Sequence, residues 1–439
     1  MNPMIDTVYS ADPSAHVWDD KNTLWIYASN DEPGTNTHDT MQSYHVFSTE
    51  NMVEWTDWGC VLSLEDVDWA ISNMWAIDAA YRNGKYYLIF CAIEAKTGMY
   101  RTGVAVSDHP QGPFTDMGFI PEVEWGQDPA LFVDDDNTPY LFWGSCNSCH
   151  ACQLTDDLMH MVEGTYVNLT KQLTWVFEGP FVHKYNGLYY LTYPGLFEKK
   201  WPERMYYATA EKPLGPYTFR GEYIPLFEGH SGTNHGSVAE FKGQWYAFHH
   251  SAWMSGISES RSLMCDYVTY DENGNILPIY PNKDGVSCID DPSRTRSKVT
   301  IWLDAAGAPK MHGKLSGTTV GKEIEGYTGN GYVENFALPQ YGLTVMAQAS
   351  RDVVYDLKIR YLAPDGDCEK KILLNETMLC PEYCSPNEYD KLYRIPQADE
   401  WTTFTLERVT LRPGRNYIRF YNGSGEMKLD AILLEQVIE

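Results

Sequence analysis

At 439 residues the chain is too long for one ordinary core, so two or three domains are expected. A formal net charge of −27 excludes nucleic acid and anionic membrane surfaces as partners, since both demand a basic footprint. Hydrophobic residues at 43% exclude a disordered chain, and aromatics at 14% favour strands.

Strand signals begin at once. His16-Val17-Trp18, a polar turn, and Leu24-Trp25-Ile26-Tyr27-Ala28 read as strand, turn, strand. The same unit returns at Ala79–Phe90 around Asn83-Gly84, at Ala130–Trp143, at Phe181–Tyr193 around Asn186-Gly187, and at Ser237–His249 around Lys242-Gly243. Gly between apolar alternations marks a hairpin, because it supplies the positive φ such turns need. A second strand pair follows in several copies, as at Tyr44–Ser48, Thr102–Ser107 and Met205–Ala210. Unit starts fall at Asp12, Asp78, Asp128, Glu178 and His235. Five copies at a period of roughly 50 residues, four strands each, predict an all-β, five-bladed β-propeller.

Three of those starts share a pattern: Ala11-Asp12-Pro13, Gln127-Asp128-Pro129 and Phe177-Glu178-Gly179-Pro180. An acid precedes a rigid Pro entry into an apolar run. Pro is expected to hold the residue before it extended, so that each acid sits at the mouth of an inner strand. In a ring of blades the three acids then meet on one face. One such acid alone is more often a turn or strand-start cap.

Asp284–Lys298 is polar and turn-rich and reads as a closing segment, giving a first domain over residues 1–298. Short alternating strands with Gly and Pro turns over residues 299–439 predict a β-sandwich. No run of 18 apolar residues occurs, and Met1–Asp6 lack the basic-then-apolar order of a secretory leader, so a cytoplasmic location is expected. The ten cysteines then read as free thiols. Cys146, Cys149, His150 and Cys152 hold metal-ligand residue types but are cramped for one tetrahedral ion, and are read as thiols in a loop or strand, as is the trio Cys368, Cys380 and Cys384.

Asp12-Pro13, Met74-Trp75-Ala76-Ile77-Asp78, Gln127-Asp128-Pro129-Ala130, Glu178-Gly179-Pro180, Thr233-Asn234-His235-Gly236-Ser237 and Arg261–Tyr267, in this order, resemble glycoside hydrolase family 43. Gly326–Val333 and Leu429-Asp430-Ala431-Ile432 resemble a carbohydrate-binding module of family 6. The resemblance implies an inverting glycosidase, with Asp12 as general base, Glu178 as general acid, and Asp128 orienting Glu178 and holding its pKa high. It implies that Trp75 and Arg261 contact the sugar and that His235 meets a central calcium largely through water. The module brings the expectation of a second, structural calcium. Asp78 is expected to support the site rather than transfer a proton, and His249-His250 to lie in the core or at the pocket rim. The leading expectation is an exo-acting α-L-arabinofuranosidase on arabinoxylan- or arabinan-derived oligosaccharides. β-D-Xylosidase, endo-arabinanase and a non-catalytic carbohydrate-binding propeller are the alternatives. The module is expected either to bind glycan through exposed aromatics such as Tyr332 or Tyr421, or to brace the propeller.

Overall fold

The computed structural model describes residues 1–18, 21–307, 313–375, 377–378 and 392–438. It divides into two compact units, one of residues 1–55 with 62–297, the other of residues 56–61 with 298–439. Cys380 and Cys384 lie outside the described residues.

Five antiparallel groups of strands form the blades, within the first unit except for residues 56–61. Blade one runs β1 (Ser10–Val17), β2 (Leu24–Asn30), β3 (Ser43–Thr49) and β4 (Glu54–Ser63). Blade two holds the short β5 (Ala70–Ser72) with β6 (Ile77–Arg82), β7 (Lys85–Glu94), β8 (Tyr100–Ser107) and β9 (Thr115–Phe119). Blade three is β10 (Ala130–Val133), β11 (Pro139–Trp143), β12 (His150–Gln153) and β13 (Val167–Asn168). Blade four is β14 (Phe181–Tyr185), β15 (Leu188–Gly195), β16 (Arg204–Ala210) and β17 (Thr218–Ile224). Blade five has three strands, β18 (Ser237–Phe241), β19 (Gln244–Ser251) and β20 (Ser262–Val268).

A central cavity of about 330 Å³ is lined by residues of β1, β6, β10, β14 and β18, one strand from each blade. These first strands are therefore the inner ring of a five-bladed propeller, and their N-terminal ends are where the sequence units begin. The Asn83-Gly84, Asn186-Gly187 and Lys242-Gly243 turns each place two successive residues at positive φ, as tight hairpins require. Between blades the contacts are apolar: β10 and β11 residues Leu131 and Leu141 pack with Ala80, Ile89 and Val104 of blade two.

The ring is closed by its N-terminal segment. Met4 N–H donates to Leu263 O (2.9 Å) and Ser10 N–H to Arg261 O (3.0 Å). The Asn2 side chain reaches Cys265 O and Asn282 O, both at 3.1 Å. Residues 282 and 283, just before the segment read from sequence as closing, thus hold the first residues of the chain beside the last blade.

Asp78 ties three blades together. One carboxylate oxygen accepts hydrogen bonds from the Ser14 hydroxyl and from Ala79 N–H (2.7 Å), and lies 2.7 Å from His16 Nε2. The other accepts from Leu131 N–H at 2.7 Å. Ser14 and His16 belong to β1, Asp78 to β6 and Leu131 to β10, and Asp78 is buried.

The second unit consists of two antiparallel sheets. One contains Lys298–Asp304, Lys428–Gln436, Val353–Ala363 and Ala398–Leu411; the other contains Gly342–Ala349, Gly414–Ser424 and Cys368–Leu374. Ile301, Val345, Leu357, Ile359, Ile372, Ile418, Phe420, Ile432 and Leu434 from both sheets share one core. Asp430 accepts from Thr328 N–H (2.8 Å) and Thr328 Oγ1 (2.9 Å), so the two motifs that carry the module resemblance meet in space. One expectation is corrected here. Tyr332 is not an exposed aromatic but 1% exposed, because its ring packs against Trp401 and Tyr327 and its hydroxyl bonds Glu323 at 3.2 Å.

Replacing Asp78 with Ala leaves Leu131 N–H without its buried acceptor and His16 without its hydrogen-bond partner. The expected cost is about 3 kcal/mol of stability, read as a lowered urea midpoint. A change within about 0.5 kcal/mol, the size expected of an ordinary surface site, would contradict the tie.

Candidate active site

The residue before each entry proline is not extended. Asp12 has φ +54°, Asp128 φ +47°, and Gly179, between Glu178 and Pro180, φ +55°. The expectation from proline sterics is overturned at all three places. At Asp12 the cause is visible: the register of β1 against β2 slips between Ala11 and Ser14, a bulge that re-aims the side chain. Asp tolerates positive φ better than most residues, and the strain is of the kind that accumulates at functional sites. Gly179 is also sterically required, since a Cβ there would lie 3.0 Å from Pro194 Cγ and 3.1 Å from His235.

Asp12 is 6% exposed. One oxygen lies 3.2 Å from Arg261 Nη1, 3.5 Å from His250 Nδ1 and 3.7 Å from His235 Nδ1. The other accepts from Ser29 Oγ at 2.5 Å. Burial opposes ionisation of Asp12, but the Arg261 charge, then His250, His235 and the Ser29 hydroxyl, outweigh it and hold its pKa far below the usual carboxylate range. His250 Nδ1 is 3.2 Å from Asp12 N–H and Nε2 is 3.1 Å from Thr233 O, so the ring is neutral, accepting at Nδ1 and donating at Nε2. Burial and the Arg261 charge keep it so.

Arg261 is held by an acid that sequence reasoning did not single out. Asp31 accepts Arg261 Nε at 3.0 Å, Nη2 at 2.8 Å and its backbone N–H at 2.8 Å. Both residues are buried, and the fork fixes the guanidinium so that Nη1 is left for Asp12.

Glu178 and Asp128 have the opposite electrostatics. Glu178 is pushed well above the ordinary range by burial, then by the negative charges of Glu203 and Asp12. Asp128 is raised by burial, then by Glu178 and Asp12. Glu203 is the second missed acid. It is buried, its Oε2 accepts Asn234 N–H at 2.6 Å, and its Oε1 has no partner. Burial, then Asp128 and Asp12, raise it too. Gln127 Nε2 approaches Glu178 Oε2 at 3.5 Å. Three carboxyls of raised pKa thus surround one ionised Asp12. The carboxyl that acts most strongly on Glu178 is Glu203 rather than the expected Asp128, which is itself raised by the Glu178 charge.

The remaining expected residues adjoin this cluster. Trp75 donates through Nε1 to His38 O at 3.0 Å and packs on Tyr100, with its ring half-buried. His38 feels the charges of Arg261, Asp31 and Asp12, and the buried Cys91 thiol contacts the backbone of both Asp128 and Trp75. His235 is partly buried beside Gly179, and desolvation lowers its pKa. His249 points elsewhere, to Asp266 at 2.9 Å. Among the described residues no group of three or more His, Cys, Asp or Glu is placed to hold a metal. His235 offers calcium a single nitrogen, whereas the ion prefers oxygen donors. Every described cysteine is a free thiol; Cys149 and Cys152 are buried.

Residues 1–276 match the pattern of the family described as Glycosyl hydrolases family 43. The chain is 34% identical to a xylosidase/arabinosidase 43A of Humicola insolens, over 64% of this chain and all of the relative. It is 29% identical to an arabinoxylan arabinofuranohydrolase of Bacillus subtilis (strain 168), over 69% of each chain. Among solved structures, a beta-xylosidase/alpha-arabinofuranosidase from a compost microbial metagenome, in complex with xylotriose, superposes with TM-score 0.57 at 31% identity, over 64% of this chain and 97% of the other. An arabinoxylan arabinofuranohydrolase from Bacillus subtilis, at TM-score 0.59 and 23% identity, shares the fold over 99% of this chain and 97% of its own.

Carboxyl titration by ¹³C NMR is expected to place Asp12 below the ordinary range and Glu178 above it. Glu203→Gln keeps an acceptor for Asn234 N–H but removes a negative charge, so the Glu178 titration is expected to move to lower pH. An unmoved titration would show that Glu203 does not act on Glu178.

Proposed function

The chain belongs to glycosyl hydrolase family 43, and from that membership we propose an inverting, exo-acting α-L-arabinofuranosidase that removes arabinofuranosyl residues from arabinoxylan-derived oligosaccharides. It is a glycosidase, as its family and the names of its relatives state. The observation that carries the proposed mechanism is the contrast in surroundings: Asp12 lies 3.2 Å from the Arg261 guanidinium, which favours its anion, whereas the charges of Glu203 and Asp12 act on Glu178 and favour its protonated form.

Asp12 acts as general base. Its carboxylate takes a proton from the water that attacks the anomeric carbon. Glu178 is the general acid, and its proton goes to the leaving oxygen as the glycosidic bond breaks. Inversion requires the two on opposite sides of the sugar, roughly 6.5–9.5 Å apart, to admit water. Asp128 and Glu203 keep Glu178 protonated, since an additional ionised carboxylate in that space is disfavoured. Asp31 positions Arg261, which stabilises the Asp12 anion. Trp75 forms an apolar wall beside the sugar. Any calcium near His235 is held mainly by water, and no step here depends on it. Residues 299–439 are proposed to be a β-sandwich carbohydrate-binding module.

β-D-Xylosidase activity is the second reading, favoured by relatives with that name, such as the beta-xylosidase of Xylanibacter ruminicola at 30% identity. Aryl α-L-arabinofuranoside and aryl β-D-xyloside assayed side by side decide between them. Turnover of neither would contradict both.

Glu178→Ala is expected to lower kcat on arabinoxylan oligosaccharides by about 10²–10⁴-fold, with the melting temperature little changed. Wild-type rates in that variant would remove Glu178 from the mechanism. The pH profile follows from the signs above. Asp12 must be ionised and is held low, so activity is expected to persist below pH 4. Glu178 must be protonated and is held high, so the alkaline limb is expected above the ordinary Glu range. A kcat/KM limb at an unshifted carboxylate value would contradict the assignment.

A further inference from the structure

The acid cluster is carried near the N-terminal ends of the inner strands. The same strands, followed toward their C-terminal ends, line the cavity of about 330 Å³, which is at the small end of the range for small-molecule sites. Its lining lies downstream of every unit start, from Ala15 after Asp12 to Val238 after His235. None of the residues assigned to the reaction lines it.

Every blade supplies this cavity with an aromatic ring: Trp18 just after β1, Tyr81 of β6, Phe132 of β10, Phe181 of β14 and Trp245 of β19. Two histidines extend the aromatic wall. His16 stacks on Trp18 at 4.8 Å and lies 5.9 Å from Phe181, and His183 lies 5.5 Å from Trp245. Trp18, Tyr81 and Trp245 are partly exposed and Glu240 is exposed, so the cavity opens to solvent at this end.

The charge of the lining has one sign. It includes the Glu240 carboxylate and, among the described residues, no Lys or Arg. His183 is 6% exposed; its Nε2 lies 2.8 Å from the Tyr270 hydroxyl, and its Nδ1 has no partner among the described residues. Burial pushes the His183 pKa down to about 3, so the ring is neutral. A buried polar atom of this kind is costly until a ligand or water pairs with it.

We propose that this cavity binds a compact organic ammonium ion, its charged head among the rings and a polar substituent paired with His183. Rings that converge from all five blades form a cage, the arrangement that recognises ammonium groups through the ring quadrupoles. A pyranose would use one flat ring face instead. An anion is opposed by Glu240 and by the net charge of −27. The site is separate from the acid cluster, and the inference does not depend on the glycosidase reading.

The test is binding of choline to the full wild-type chain, measured by calorimetry. The comparison is its neutral isostere, in which a tert-butyl group replaces trimethylammonium. Choline is expected to bind about tenfold more tightly than the isostere. Trp18→Leu and Trp245→Leu keep apolar bulk but remove the indole, and each is expected to weaken choline binding about tenfold. Glu240→Gln is expected to weaken it about threefold, and being at an exposed position it leaves the core undisturbed. Melting temperatures report folding of the tryptophan variants; should they fail to fold, Glu240→Gln and the isostere decide. Glu178→Gln, in the acid cluster, is expected to leave choline binding unchanged. Absence of choline binding would overturn the proposal, as would equal binding of the isostere or parent-like affinity in the folded cavity variants. Loss of binding in Glu178→Gln would place the cation among the acids and overturn the cavity as its site.

Discussion

Arg261 lies buried with its guanidinium forked onto Asp31 and its remaining nitrogen 3.2 Å from Asp12, and the charge state of the centre follows from that arrangement. One buried cation stabilises the carboxylates it touches and reaches the others only weakly. Asp31 and Asp12 accept its hydrogen bonds. Glu178, Asp128 and Glu203 do not, and burial with mutual repulsion raises all three. A base that is always ionised and an acid that keeps its proton thus coexist in one enclosure. The neutrality of His250 contributes as well: its Nδ1 accepts the Asp12 backbone N–H, so it fixes the backbone that carries the carboxylate without adding a competing proton.

The backbone supplies the geometry. Each acid reaches the centre because the residue before an entry proline takes a positive φ, at Asp12, Asp128 and Gly179. Such conformations persist only where surrounding structure over-determines them. Here the surroundings are the inner strands themselves, joined by Asp78 across β1, β6 and β10. Support and chemistry are close neighbours in this ring. The Asp78 carboxylate is satisfied locally by the Ser14 hydroxyl, His16 and the backbone N–H groups of Ala79 and Leu131.

Much of the propeller was readable because its signals are local. Asn83-Gly84, Asn186-Gly187 and Lys242-Gly243 mark the hairpins, and the five unit starts fall in or within three residues of the five inner strands. Asp12, Asp128, Glu178 and Arg261 were readable through their prolines and motif context. Asp31 and Glu203 were not, because neither opens an inner strand. Asp31 follows β2, and Glu203 comes just before β16, after Trp201-Pro202. Glu203 does adjoin a proline at a strand end, but that strand is not an inner one. The positive φ before each proline runs against proline's local preference, and at Asp12 the bulge that overrides it is a pairing feature that local sequence does not show. Tyr332 was misplaced for a similar reason: alternation gives a strand its two faces but does not show that Trp401, far along the chain, covers one of them.

The account turns on an ionised Asp12 delivering water to one face of the sugar while Glu178 releases the other. The configuration of the first-formed sugar tests that division most directly, read by ¹H NMR before mutarotation scrambles it. The account predicts the anomer opposite to that of the substrate bond. Initial release of the same anomer would mean that a carboxylate attacks the sugar itself, and would contradict the division of roles between Asp12 and Glu178.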